Sequence, residues 1–293
     1  MERMICAGRD SLIVRPMTGV PPLEIYDAYH DEIQAIFRSR LLTQVLIALG
    51  SGSRSLPALR DATGSSSQAL IPKIRQLEAL QYVEQVRGDY VLTPIGRLVE
   101  PEIERLVTLM GVLGRHREFW VEHELDSIPP ESLGELRHLY NAMVIRDVEE
   151  DIYAVHAMFA EIIRKASWVH GVSSIMSPVQ ANLIEQVIIE NKPVELVVSP
   201  EIAGKLAKEP YRATLESLKE YSRAVIYVSP APFRLGMAVT ESCLSLGLYR
   251  RDTGTYDTAS DLVSSDPAAV AWGERVFRHY RAIASPLSIP PDK

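Results

Sequence analysis

The stretch SLPALRDATGSSSQALIPKIRQLEALQYVEQVRGDYVLTP, residues 55–94, decides the fold of the N-terminal part of this sequence. It begins with a short predicted helix over 55–62, because Ser55 can accept a hydrogen bond at a helix N-cap and Pro57 fits a first turn. Thr-Gly at 63–64 predicts a tight turn. A second helix should therefore begin directly after this turn.

That second helix is predicted within residues 65–80, where apolar side chains recur every three or four positions. Ser65 and Gln68 form a capping-box pattern. Pro72 conflicts with the prediction, because a proline inside a helix removes a hydrogen bond and clashes with the preceding turn, at a cost of about 3 kcal/mol. Either the helix is kinked, or it begins near Ala69 with Pro72 in its first turn.

A hairpin is predicted next, with strands over 82–86 and 90–93 joined by a turn at 87–89. Upstream, an apolar stripe predicts a helix over 28–49, which the glycines and serines of 50–53 end. Three helices, a glycine-containing turn and a hairpin, in this order and length, indicate a winged helix-turn-helix.

The polar side of the 65–80 helix predicts a DNA-reading face, because a helix fits the B-DNA major groove and its N-terminal residues reach base edges and phosphates. Gln68 can pair with adenine, and Lys73 and Arg75 can reach phosphate or guanine. The residues predicted to contact DNA are Ser66, Ser67, Gln68, Lys73, Arg75, Gln76 and, at the hairpin turn, Arg87. A simpler interpretation also fits, in which Gln68 only caps the helix and the two cations lie on a solvated face.

Charge is distributed unevenly along the 293-residue chain, whose net charge is −7. Residues 28–97 carry eight Lys or Arg and six Asp or Glu, whereas the remainder carries 23 and 32. This asymmetry fits a small DNA reader attached to an acidic domain.

Cysteines and apolar runs predict the cellular environment. Cys6 and Cys243 cannot make a disulfide framework, and no C-x-x-C pair indicates zinc. No apolar run approaches the roughly 18 residues of a membrane span, and no apolar core of a signal peptide is present near the N-terminus. These features predict a cytoplasmic protein that does not enter the membrane.

The chain as a whole is expected to be a two-domain protein of α+β or α/β class. After Pro129-Pro130 the pattern predicts helices and strands in alternation, and hence an α/β domain with a mixed sheet. Predicted strands are 167–172, 194–198, 225–228, 235–240 and 242–249; predicted helices are 133–143, 148–165, 178–190, 203–207, 211–220 and 267–284. The predicted domains are an irregular arm at 1–27, the winged helix-turn-helix at 28–97, a linker or dimerisation helix at 98–128, and an effector domain at 129–293.

The long helix from residue 95 to about residue 124 carries more apolar side chains than one packed face needs. That surplus suits a partner helix in a homodimer, and paired DNA half-sites mirror a protein two-fold axis. The same stripe also suits packing against the chain's own C-terminal domain. His116 and His123 share a face of this helix but lack a third ligand, so no metal site is predicted.

In the C-terminal part, Gly-Thr-Tyr-Asp at 254–257 predicts a turn, with Asp257 bonding local backbone. Arginines at strand ends can bind a carboxylate or phosphate, which makes Tyr249, Arg250 and Asp257 candidate ligand-binding residues. Trp272 and the aromatics after it on the last helix are expected to pack between helix and sheet.

Three classes of function remain open from the residues alone. A DNA-binding regulator is favoured. A winged-helix adaptor that binds proteins would show the same fold pattern. An enzyme with a phospholipase D-like domain is disfavoured, because no His-x-Lys, Gly-x-Ser-x-Gly, Walker loop or Gly-x-Gly-x-x-Gly occurs. The chain is therefore predicted to be neither an enzyme nor the holder of a cofactor.

Three blocks resemble one family, the winged-helix regulators of methanogenic archaea with a filamentation-regulator-type effector domain. The first block begins RSRLLTQVLIALG at residue 38 and continues to residue 99. The others are FWVEHELDSIPPESLGEL at 119–136 and TGTYDTASDLVSSDPAAVAWGERVFRHYRAIA at 253–284. The resemblance implies an archaeal transcription factor that binds promoter DNA as a dimer, with a C-terminal domain that senses an unidentified small molecule. It supplies no catalytic residues.

Overall fold

A computed structural model describes residues 19–287, except residues 210, 219–220 and 222. The chain divides into two compact units between Met110 and Gly111. Most of the predicted N-terminal arm, residues 1–18, lies outside the described residues.

The first unit is mainly helical. Its elements are α1 (Pro22–Arg38), α2 (Arg40–Gly50), α3 (Leu56–Thr63), α4 (Ser67–Ala79), β1 (Val83–Val86), β2 (Asp89–Leu92) and α5 (Pro94–Arg115), which continues into the second unit. The arm prediction is wrong over 22–27, because Pro22 occupies the first helical position and Glu24 lies in the first turn of α1. Both residues favour a helix start there.

The predicted helix over 28–49 is interrupted at Ser39. This residue has an extended backbone, and its side chain accepts a hydrogen bond from the Leu42 amide at 3.4 Å, so it caps α2. Thr43 Oγ1 donates to the Ile36 carbonyl oxygen at 2.8 Å and so satisfies an acceptor at the end of α1. The apolar periodicity continues across this break, which explains why periodicity alone predicted one helix.

The turn between α3 and α4 depends on Gly64, whose φ of 63° lies in the left-handed region and ends α3. Ser66 then caps α4 by accepting from the Ala69 amide at 3.3 Å, so the predicted capping box at Ser65 is displaced by one residue. The helix begins before Ala69 and contains Pro72, which excludes the later start. Because Pro72 is exposed, solvent can reach the carbonyl that it leaves without an amide partner.

The hairpin turn is shorter than predicted. Arg87 and Gly88 both have positive φ, 53° and 94°, as in the two-residue turns that match the twist of paired strands. Arg54 exchanges two backbone hydrogen bonds with Tyr90, at 3.0 and 2.8 Å, which joins the hairpin to the segment before α3. The sequence did not predict this third pairing.

One core holds the first unit together. It draws apolar side chains from all five helices and from both strands, so the hairpin is packed and not a free appendage. Its fully buried members include Leu42, Leu46, Leu59, Leu70, Ile74 and Leu77.

The second unit alternates helices and strands. Its helices are α6 (Arg117–Glu122), α7 (Pro130–Leu133), a 3-10 helix (Leu136–Leu139), α8 (Ala154–Lys165), α9 (Pro178–Ile189), α10 (Pro200–Leu206), α11 (Tyr211–Leu218) and α12 (Pro267–Ile283). Its strands are β3 (Met143–Arg146), β4 (Val169–Ser173), β5 (Val194–Val198), β6 (Ala224–Val228), β7 (Leu235–Val239), β8 (Leu244–Leu248), β9 (Ser260–Ser264) and β10 (Ser285–Pro286).

These strands form one mixed sheet in the order β10-β6-β5-β4-β7-β8-β9-β3. Strands β4, β5 and β6 are parallel, whereas the pairings from β4 through β7, β8 and β9 to β3 are antiparallel. The α/β class and mixed sheet predicted from the sequence are confirmed. Helix α12 packs on one face of this sheet, against β4, β5, β7 and β8.

The C-terminal predictions are wrong in several places, and the helix predicted over 148–165 begins only at Ala154. The long helix predicted to residue 124 is interrupted at His116, because that residue leaves helical geometry, with φ of −119° and ψ of 37°, directly before α6. The helix predicted over 133–143 is replaced by short turns and then β3. Strand β9 was not predicted, because polar residues such as Asp261 hide the apolar pattern of a fully buried strand. Within the described residues, no helix is long and apolar enough to cross a membrane.

Candidate DNA-reading surface and internal cavity

Helix α4 has one buried and one exposed side. Leu70, Ile74 and Leu77 face the core of the first unit. Gln68 and Arg75 lie on the exposed side, on either side of Pro72 along the helix. The apolar spacing read from the sequence therefore separates the polar face correctly.

The other residues predicted to contact DNA differ in the exposure and the hydrogen bonding of their side chains. Ser66 is exposed, but its hydroxyl is occupied as the helix cap, and Ser67 is half-buried in the first turn. Lys73 Nζ donates to Gln76 Oε1 at 3.5 Å, so the structure brings this pair together on the flank of α4. Arg87 is exposed at the hairpin turn, away from α4 in sequence.

The second unit contains a cavity of about 520 Å³ between one face of the sheet and helices α8, α9, α10 and α11. Its position follows from the strand order. After β4, the chain adds β5 and β6 on one side, and then β7 returns to the other side of β4. Ser173, at the end of β4, and Gly236, at the start of β7, both line the cavity. A reversal of strand order at the carboxyl ends of parallel strands is where α/β sheets usually bind ligands.

Asp261 of β9 contributes a buried carboxyl group to this cavity. The Ser245 hydroxyl donates a short hydrogen bond to its Oδ2, whereas Oδ1 is buried without a partner among the described residues. Burial raises the pKa of Asp261 to about 7; the Ser245 hydrogen bond acts in the opposite direction, and the charge of Asp257 adds to the rise. The carboxyl is thus close to half protonated at neutral pH.

Tyr256 and His156 are the other notable polar groups of the lining. The tyrosine hydroxyl lies over Gly236 and Gly247, where a Cβ atom on either strand would overlap with the ring. Burial raises the pKa of Tyr256 well above its ordinary value. His156, on α8, has a buried Nε2 without a partner among the described residues.

Of the three predicted ligand-binding residues, only Asp257 lines the cavity. Its Oδ2 lies 3.1 Å from His123 Nε2, and its Oδ1 accepts from the Ala259 amide at 3.0 Å, just after the predicted turn. Tyr249 lies outside the cavity, where its hydroxyl is 3.0 Å from Ser174 Oγ. Arg250 also lies outside; it pairs most closely with the carboxylate of Asp252 at 2.8 Å, and its Nη1 lies 3.8 Å from Asp257 Oδ2, so the structure brings these two predicted residues together.

We did not predict from the sequence that the cavity would be lined by Asp261, His156 and Tyr256. An acidic residue between strand-forming residues at 260–264 was the available signal for Asp261. Tyr256 stood inside the 254–257 element, where it was assigned to a turn. His156 gave no signal, because a single histidine on an amphipathic helix is common.

The aromatic side chains of α12 pack as expected. Trp272 is fully buried, and its Nε1 donates to the Ser132 carbonyl oxygen at 2.8 Å. The Tyr280 hydroxyl donates to the Ser127 carbonyl oxygen. These bonds tie α12 to the segment that precedes the sheet.

Together, these features define a class of protein with an N-terminal winged helix-turn-helix and a C-terminal mixed α/β unit. Residues 30–111 match the N-terminal domain of the methanogenesis regulatory protein FilR1, and residues 152–283 match its middle domain. The chain belongs to this FilR1 family, in agreement with the resemblance seen in the sequence.

A curated relative is FilR1 of Methanothrix harundinacea (strain 6Ac), which is 24% identical over 251 residues and matches 85% of this chain. The match covers 56% of the relative, so the chain spans little more than half of that protein's length.

Two solved structures share limited similarity. One is TrmBL2, an archaeal chromatin protein with a novel mode of DNA binding, with a TM-score of 0.39 and 13% identity over 89% of this chain and 100% of that one. The other is phosphatidylserine synthase of Haemophilus influenzae Rd KW20, with a TM-score of 0.38 and 13% identity over 50% and 39%.

Proposed function

We propose that the protein is a transcriptional regulator that binds double-stranded DNA through α4 and the hairpin, and whose second unit senses a small molecule. The observation that carries the DNA-binding part is the exposed polar side of α4, directly after the glycine turn of a helix-turn-helix. A helix presented in this way can enter a major groove. The role is regulatory and not catalytic, in keeping with the name of the family.

The charges on and near this face support the proposal. Arg75 is exposed and makes no ion pair with any residue that the structure describes, so its guanidinium is available to a phosphate or a guanine. Arg87 extends from the hairpin turn, where a cation can reach the backbone or the minor groove beside the helix. The N-terminus of α4 adds exposed amides that favour a phosphate.

Replacing Lys73 and Arg75 together with Ala is the test of this surface. DNA affinity should fall, and the slope of log affinity against log salt should decrease by about 0.9 for each phosphate that the protein no longer neutralises. Fluorescence anisotropy with a duplex from the gene's own promoter, measured at several salt concentrations, gives both quantities. Arg105→Ala removes an exposed arginine from α5 and is the matched control. An unchanged affinity and slope in the double variant would reject the surface.

The sensing role rests on the cavity of the second unit. Its volume of about 520 Å³ lies within the range of ligand sites in proteins. Its walls are mostly apolar, with a few buried polar atoms that lack partners among the described residues. Walls of this kind, with few polar groups, are typical of a site for a small organic molecule.

We also propose that the regulator acts as a homodimer through α5. Leu106 and Met110 lie one helical turn apart, and their side chains are 41% and 64% exposed. Exposed apolar side chains that share a helix face favour a partner surface. The double variant Leu106→Glu, Met110→Glu should sediment as a monomer of 32.7 kDa, whereas the unmodified chain and a Val121→Glu control should sediment as dimers. A monomeric unmodified chain would contradict this interface.

A further inference from the structure

We propose that the cavity selects a molecule with an apolar body and a protonated amine, and that Asp261 and His156 bind the ammonium group. This inference rests on the sensing role proposed above and specifies the class of ligand. The cavity, the charge of its lining and the two unpaired polar atoms each support it.

The apolar part of the ligand is defined by the walls. Side chains from the sheet and from the covering helices meet across the cavity, among them Phe159, Ile184, Leu196, Val198, Leu215 and Ile226. Transfer of an alkyl chain from water to such walls is favourable and strengthens binding by about fourfold per methylene group. A wholly polar metabolite would gain nothing from these side chains.

The charge of the lining sets the sign of the head group. Among the described residues that line the cavity, Glu185, Asp257 and Asp261 are acidic, and none is Lys or Arg. A carboxylate or phosphate would be buried there without a permanent cation, which is costly. This finding replaces the anionic ligand expected from Arg250, which lies outside the lining.

Two atoms mark where the head group binds. Asp261 Oδ1 and His156 Nε2 are both buried without a partner among the described residues, although nearly all buried polar atoms in proteins are bonded. An ammonium group has three donors and no acceptor. It can donate to the Asp261 carboxylate and to a neutral His156 whose proton is on Nδ1.

Proton release should accompany binding. The bound cation favours the ionised form of Asp261, whose carboxyl holds a proton up to about pH 7 in the free protein. Affinity for an amine should therefore rise about tenfold between about pH 6 and about pH 8, as the carboxyl ionises. The other titratable groups that line the cavity are His156 on α8, Glu185 on α9, Tyr211 on α11, and Tyr256 and Asp257 before β9, and Ser245 on β8 donates to the carboxyl. Because several titratable groups share the lining, the carboxyl must be varied by itself.

The test is isothermal titration calorimetry of the full chain with octylamine, octanol and octanoate, which share one apolar body. Octylamine should bind tightest at about pH 8, at least about tenfold more tightly than octanoate, and should lose affinity toward about pH 6. Asp261→Asn should weaken octylamine binding about tenfold or more and remove most of its pH dependence, while leaving octanol binding unchanged. Ala181→Phe, which fills part of the cavity, should weaken all three.

Glu161→Gln is the matched control, because it removes an exposed carboxylate of α8 that does not line the cavity and should preserve the preference for the amine. Any one of three results would overturn the inference. The protein could prefer octanoate, it could bind octanol as tightly as octylamine, or the Asp261→Asn variant could still bind octylamine normally. Failure of all three probes to bind would also remove the sensing role, whereas DNA affinity, measured separately, would still test the first unit.

Discussion

Replacing Trp272 with Ala is expected to lower the free energy of unfolding of the second unit by about 3–5 kcal/mol. The indole is fully buried on α12, and its Nε1 donates to the Ser132 carbonyl oxygen. Truncation leaves a cavity and removes one of the two hydrogen bonds that this oxygen accepts; the other, from the Glu135 amide at 3.0 Å, remains. A change of this size is a large part of the stability of an ordinary domain.

Urea unfolding followed by tryptophan fluorescence measures this effect. The three tryptophans lie at 120, 168 and 272, all in the second unit, so the two that remain report its unfolding. Trp168→Ala removes a half-buried indole from the same unit and should cost clearly less. Equal destabilisation by the two variants would show that burial of Trp272 does not set its contribution.

Replacing Gly96 with Val is expected to destabilise the first unit by about 3 kcal/mol or more. A Cβ atom at this position of α5 would overlap with the Tyr82 carbonyl oxygen. That oxygen is fixed, because it already accepts from the Thr93 amide at 3.0 Å at the base of the hairpin. The helix must therefore move away from the hairpin, and DNA affinity should fall with stability.

Another glycine of α5 supplies the control. Gly114 has open space where a Cβ would lie, so Gly114→Ala should stabilise the helix by about 1 kcal/mol. In urea, far-ultraviolet circular dichroism follows the unfolding of both units and tryptophan fluorescence follows that of the second unit alone, so the comparison isolates the tryptophan-free first unit. A Gly96→Val variant with an unchanged first transition would show that α5 can shift at no cost in stability.

Much of the fold was predictable where one pattern dominated. The β5 prediction was correct to the residue at Val194–Val198, because a short valine-rich stretch between Pro193 and Pro200 is easily recognised as a strand. The α4 prediction was correct in type but displaced at its start, because three consecutive serines offered equivalent caps. Strand β9 escaped prediction, because it carries buried polar residues, of which Asp261 has a hydrogen-bond partner distant in sequence, Ser245.

The candidate sites were predictable to different degrees. The exposed residues of α4 follow from helical periodicity, which can be read from a single local stretch of the sequence. The cavity does not, because His156 and Asp261 are brought to it by different elements, α8 and β9. The sequence instead pointed to Tyr249 and Arg250, whose partners in the structure are Ser174 and Asp252.

The pairing of β3 with β9 has a consequence for synthesis of the chain on the ribosome. Met143 pairs with Val263, so β3 leaves the exit tunnel long before its partner does. Until β9 arrives, β3 and the open edge of β8 expose unpaired backbone groups, which other nascent chains can bind. Pairing of β9 with β8 and β3 joins residues distant in sequence, so it should be a late step in folding. It should also be the step most sensitive to premature termination of synthesis.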